Sequence, residues 1–246
     1  MKLLALDTST ELCSAALWLD GALIAREASR ERGHSELILP MIDELLGEAG
    51  VELAQLDAIA FGRGPGAFTG VRLAAGVAQG LGFAAALPLL PVSDLRALAA
   101  QALLRPGAPR RGLICQDARM DEVYWGCFER LGDAVCPLGS EAVAAPGGVA
   151  LPPAWIGAQV CGAGSGFAAY APRLAAVAGQ LTGVFAELRP RAREVALLAS
   201  SGLSSKAIAA KLNLSVRTIS NHLGHVYAKL GVVGREELAA RFMPAR

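Results

Sequence analysis

Asparagine is absent from the first 187 residues of this chain, and lysine occurs there once. Histidine occurs only at positions 34, 222 and 225, with no HxxxH or HExxH spacing, so no metal ligands are assigned. The five cysteines, at 13, 115, 127, 136 and 161, are odd in number and hold no CxxC pair. That excludes a zinc ribbon and a disulfide framework, and they read as reduced, mostly core thiols of a cytoplasmic protein. The longest near-apolar run, residues 80–92, contains two prolines and falls short of the ~20 residues of a membrane span, so no membrane role is expected. The first six residues, with one lysine and five apolar side chains, do not read as a signal peptide. GxSxG, GK[ST] and GxGxxG are all missing, which removes the nucleophile elbow, the Walker loop and the dinucleotide fingerprint.

What is there is apolar and asymmetric. The 246 residues are 53% hydrophobic, enough for a sizeable core. Residues 1–187 carry 13 Lys+Arg and 19 Asp+Glu, whereas residues 188–246 carry 10 and 3, with no acid between Glu194 and Glu236. A shift of that size in charge and composition suggests two domains of separate history. Before the shift, three strands are followed by helix, strand, helix, strand, helix, the last helix capped by Ser93. Beyond the linker RPGAPRRG, more strands, a helix over GFAAYAPRLAAVA, a strand and a helix over RPRAREVALLAS suggest a second α/β lobe.

Three motifs of the first 187 residues are rich in chemistry. LDTST, residues 6–10, sets Asp7, Thr8, Ser9 and Thr10 at a strand end, either as a phosphate-facing turn or as a polar turn opening a hairpin. GRGPGAFTGVR, residues 62–72, links a strand to a helix; its glycines serve either close approach of a ligand to a helix N-terminus or tight packing. QDARMDEVYWG, residues 116–126, gathers Asp117, Arg119, Asp121 and Glu122, for acid–base work or, more simply, as a paired hairpin tip.

Together LALDTSTELCSAAL, HSELILPMIDELL, LDAIAFGRGPGAFTGVRLAAGVAQGL and DARMDEVYWG resemble the TsaB (YeaZ) family over about residues 1–199. The resemblance implies an α/β fold, a two-lobed actin-like ASKHA domain, with lobes at 1–104 and 105–199. It implies a non-catalytic subunit supporting a TsaD-type transferase in threonylcarbamoyladenosine modification of tRNA. The partner surface it implies lies on His34, Leu37 and Met41 of one helix and Thr69, Arg72, Ala75 and Ala78 of the next. Weak nucleotide contacts fall on Asp7, Thr8, Ser9 and Thr10, with ATP or ADP at the complex interface. A TsaE-type ATPase, tRNA held indirectly and a homodimer complete the implied partners. Ala67 stands where the family usually has Ser, which removes one hydroxyl from the phosphate reading.

Residues 190–242 resemble the LuxR-type helix-turn-helix module, giving a small all-α domain at 190–246. Ser204 or Ser205 caps one helix, NLS makes the turn and Ser215 caps the next. Val216, Ile219, Leu223, Val226 and Leu230 form its inner stripe. Arg217, Thr218, Ser220, Asn221, His225 and Lys229 face outward as a DNA-binding set, or simply as a solvated basic face. The module departs from its pattern at Arg189, Ala192 and Ala207. Residues 190–199 satisfy both patterns, so the chain reads as a fusion through a shared helix. The intact 62–72 motif favours the accessory subunit. The acid-free tail favours the other reading, a LuxR-type transcriptional regulator with an ASKHA sensor. A peptidase has no nucleophile or metal set to support it.

Overall fold

The structure, a computed structural model, describes residues 1–200. The expected helix-turn-helix and its candidate DNA contacts lie outside the described residues, apart from the first helix.

β1 (Lys2–Asp7) is apolar on both faces and buried along almost its whole length, so it sits in the middle of a sheet. It pairs antiparallel with β2 (Leu12–Leu19), which pairs antiparallel with β3 (Ala22–Ser29). Asp20 and Gly21, both at positive φ, make the two-residue turn that suits a right-handed strand twist. α1 (His34–Ala49) follows and stops at left-handed Gly50, where the Gly50 and Val51 amides close on the last carbonyls. β4 (Ala58–Gly62), α2 (Phe68–Ala85), β5 (Leu89–Val92) and α3 (Asp94–Leu103) complete the lobe. Ser93 caps α3 by accepting from the Arg96 amide at 3.2 Å. The sheet order is β3-β2-β1-β4-β5, with β4 and β5 parallel to β1.

The second lobe repeats this order. β6 (Arg111–Arg119), β7 (Glu122–Leu131) and β8 (Ala134–Ala144) form a meander, and β9 (Val160–Ala163) and β10 (Gly183–Phe185) run parallel to β6. The order is β8-β7-β6-β9-β10. β8 is the edge strand of this sheet. An edge strand leaves its outer amides free, so Pro137 and left-handed Gly139 do not stop it. The single helix expected over 166–178 is two, α4 (Gly166–Ala169) and α5 (Ala171–Ala178). Pro172 has no amide to continue the turn across Tyr170.

Each lobe lends its last helix to the other. α3 packs on β6, β7 and β8, whereas α6 (Ala192–Ser200) packs on β1, β2 and β4 and against α3. Ala5, Ala16 and Ala60 line the inner face of the first sheet and let α6 approach closely. Ile114, Phe128 and Val135 do the same work, with more bulk, beneath α3. Val195, Ala196 and Leu198 of α6 are buried in this shared core. Outside the first sheet, α1 and α2 cover a second core of Leu4, Leu6, Leu17, Ile38, Ile42 and Leu45.

The segment that leads into α6 is fitted to the first lobe too. The Ala192 amide donates to Ser14 Oγ of β2 at 2.9 Å. Arg189 reaches Glu11 at 2.5 Å, and Arg191 grips Glu194 with two hydrogen bonds of 2.9 and 2.6 Å. Ala192 and Arg189, departures from the DNA-binding pattern, are thus at home in the α/β body.

Candidate functional site

The 6–10 turn leaves β1 and is roofed by the glycine-rich segment. Thr8 Oγ donates to the Gly70 carbonyl at 2.7 Å, and Ser9 Oγ donates to Asp7 Oδ1 at 2.8 Å. The Ala67 amide donates to the Ser9 carbonyl at 2.7 Å. A Cβ on Gly66 would lie 2.5 Å from that carbonyl oxygen, and one on Gly70 would overlap the carbonyl oxygen of Thr8. The glycines therefore let the start of α2 press onto the turn.

Thr8 and Ser9 are two of the residues expected to face phosphate. Both side chains are buried and their hydroxyls are spent inside the protein. Thr10 is half-buried, and its Oγ accepts from the Leu12 amide at 3.2 Å. Asp7 is fully buried, and burial pushes its carboxyl above the ordinary carboxylate range.

The expected partner surface also divides. Ala78 is fully buried and Met41 nearly so, both in the core beneath α1 and α2. The small-residue stripe Gly70, Ala74, Ala78 and Gly82 is the buried face of α2, so it serves internal packing. Thr69 and Arg72 are exposed, while His34, Leu37 and Ala75 are half-buried at the margin. His34 Nε2 lies 3.3 Å from the Glu11 carbonyl oxygen.

Sequence reasoning missed the side chains that dominate the outer face. Phe68 is 72% exposed and Phe83 92% exposed, at the two ends of α2, and Leu39 is 47% exposed on α1. Positions 68, 72, 76, 80 and 83 recur at helical spacing, which marks them as one outward stripe. The Arg72 guanidinium stacks on the Phe68 ring, 3.3 Å from its centroid.

At the 116–126 hairpin tip, Arg119, Met120 and Asp121 all take left-handed φ. Asp117 accepts from Tyr170 Oη at 2.9 Å and from the Arg119 amide at 2.8 Å, and Arg173 pairs with Asp121 at 2.7 Å. These acids are held by local partners. Among the described residues no group of three His, Cys, Asp or Glu side chains is placed to hold a metal ion, and no helix is long and apolar enough to cross a membrane.

Two α/β lobes of like strand order, exchanging their last helices across a shared core, define a two-sheet protein of ASKHA type. Among solved structures, YeaZ from Pseudomonas aeruginosa matches with a TM-score of 0.76 at 48% identity, over 81% of this chain and 91% of that one. The family model described as TsaD, tRNA N6-adenosine threonylcarbamoyltransferase, matches residues 25–219, and the chain belongs to that family, with the TsaB/YeaZ proteins as its relatives. The tRNA threonylcarbamoyladenosine biosynthesis protein TsaB of Escherichia coli (strain K12) is 48% identical over 130 residues, 53% of this chain and 56% of that protein. The TsaB of Haemophilus influenzae is 52% identical over 125 residues, 51% of this chain and 52% of that protein. The chain thus spans about half the length of the curated relatives it matches.

Proposed function

We propose that this chain is an accessory subunit in the formation of threonylcarbamoyladenosine on tRNA, and that it docks a TsaD-type catalytic partner on the outer face of α1 and α2. The observation that carries this reading is the exposed stripe from Phe68 through Arg72 to Phe83. Large aromatics left in water on a helix that already buries its other face mark a protein contact. Leu39 of α1 extends that face. The inward-turned hydroxyls of residues 8 and 9 argue against a nucleotide held by this turn alone, so ATP or ADP belongs at the interface with the partner. A TsaE-type ATPase and tRNA would then be met through the assembly, and a homodimer would use the same stripe when the partner is absent. The test is reconstitution. A TsaD-type enzyme supplied with its substrates should modify tRNA far faster when this chain is added, and the chain alone should do nothing. Equal rates with and without it would refute the proposal.

The DNA-binding reading of residues 201–246 rests on sequence alone. Its observation is the acid-free stretch carrying Arg217, Asn221 and Lys229. Fluorescence anisotropy of the full chain on duplex DNA at two salt concentrations tests it. Binding should weaken steeply with salt, and Lys229→Ala should reduce the salt slope by about one unit.

A further inference from the structure

Asp7 closes β1 and Asp94 opens α3, and both side chains are fully buried. Their carboxyl groups converge over the α-carbon of Gly62 on β4. A Cβ there would overlap Asp7 Oδ2 and Asp94 Oδ1 at once. Ser9 satisfies Asp7 Oδ1 with its amide, at 2.9 Å, and its hydroxyl. Asp7 Oδ2 and both oxygens of Asp94 have no donor at hydrogen-bond geometry, and the nearby Gly64 amide and Ser9 hydroxyl favour a charged Asp94 less than burial and Asp7 oppose it. Two charged carboxylates cannot share so dry a space, since the two Ser9 bonds serve only one oxygen of Asp7 and leave like charges side by side.

We infer that Asp7 and Asp94 together bind one proton at neutral pH, held mainly by Asp94, which donates it to Asp7 Oδ2 and so clasps the end of β1 to the start of α3. A single proton turns the repulsion into a short, charge-assisted O–H···O⁻ bond. Burial raises both carboxyls above their ordinary range, and the charge of Asp7 raises Asp94 further. The surrounding charges do not neutralise the pair. From α1, His34 favours the charged form of Asp7 only as the last of the influences on it. From β2, the Cys13 thiol is itself pushed up to about 11 by burial and by Asp7. Arg63, after β4, is turned to Glu141 of β8, which also takes the Ser93 hydroxyl. Arg96 of α3 donates to the Val135 carbonyl at 2.7 Å, Arg72 of α2 lies on Phe68, and Glu194 of α6 is held by Arg191.

The sign follows from the raised values. The clasp contributes most below the unfolded carboxylate range, and its contribution is lost as pH rises through the folded values. α3 lies on the second sheet, so loss of the proton loosens the junction between the lobes.

The experiment uses the full chain. Infrared spectra at neutral pH should contain the carbonyl stretch of a protonated carboxylic acid, and Asp94→Asn should abolish it. The amide of Asn donates to Asp7 without titrating, so this variant should raise Tm at mildly alkaline pH by about 3 °C and flatten the fall of Tm with pH. Should Asp94→Asn fail to fold, the wild-type band and its disappearance at high pH decide alone. Absence of the band at neutral pH overturns the inference. So does a wild-type chain in which magnesium or calcium chloride raises Tm and removes the band, because the pair would then hold a cation.

Discussion

The two lobes share a strand order and differ in what they do with it. In the first, Asp7 follows Leu6 at the end of the central strand, and Gly62 of the parallel neighbour sits against it. In the second, Cys115 follows Ile114 at the matching place, where Gly164 lies against its backbone carbonyl and Gly166 against its thiol. One lobe thus keeps a buried acid where the other keeps a thiol, whose titration burial pushes up to about 12. The outer layers differ as well. The first sheet is covered by helices of 16 and 18 residues, one presenting two exposed phenylalanines. The second is covered by short turns and helices of 4 and 8 residues, and its exposed apolar side chains lie mainly on strands and loops. A common topology supplies rigidity to both, the proposed docking stripe lies on the first, and so does the buried carboxyl pair.

The largest test of this comparison is truncation. A chain ending at residue 187 loses α6 and uncovers the alanine face of the first sheet, and we expect it not to fold. A chain ending at residue 200 keeps α6 and should melt close to the full protein. Equal behaviour of the two in thermal melts would show that α6 is dispensable to the body.

The next test uses the helix exchange. Leu98 of α3 and Leu198 of α6 are buried to similar degrees in the same core. Leu98→Ala and Leu198→Ala should each cost about 2–5 kcal/mol in denaturant melts. A cost below ~1 kcal/mol for Leu198→Ala alone would remove α6 from the shared core.

Smaller effects separate the glycines of α2. Gly70→Ala forces a methyl onto the Thr8 carbonyl and should cost about 1–3 kcal/mol. Gly76→Ala enters open space in a helix interior and should stabilise by roughly 0.5–1 kcal/mol. Similar values for both would mean that the 62–72 motif is not there for close packing.

Much of the fold was legible because its signals are local. The Asp20–Gly21 turn, the Ser93 cap and the Gly50 stop lie where residue type alone puts them. The site was less so. Ala78 reads like a contact residue because a small-residue stripe permits close approach, but sequence does not say which neighbour approaches. Asp94 looks like an ordinary N-terminal helix acid, and only the fold brings it onto Asp7 over Gly62. The ownership of residues 190–199 was undecidable from pattern, since both domains want an amphipathic helix there. Ser14 and Glu11, 178 residues away from their partners Ala192 and Arg189, place it against the first lobe.

The central claim is that the first lobe docks the partner and the second does not. Phe83 on α2 and Met120 on the β6–β7 hairpin are almost equally exposed, at 92% and 93%, so they form a matched pair. The measurement is the affinity of the full chain for a TsaD-type partner by titration calorimetry, for Phe83→Glu and Met120→Glu, with melts to confirm that both are folded. The account predicts a loss of at least about 2 kcal/mol for Phe83→Glu and no change for Met120→Glu. Unchanged binding by a folded Phe83→Glu, or an equal loss from Met120→Glu, would contradict it.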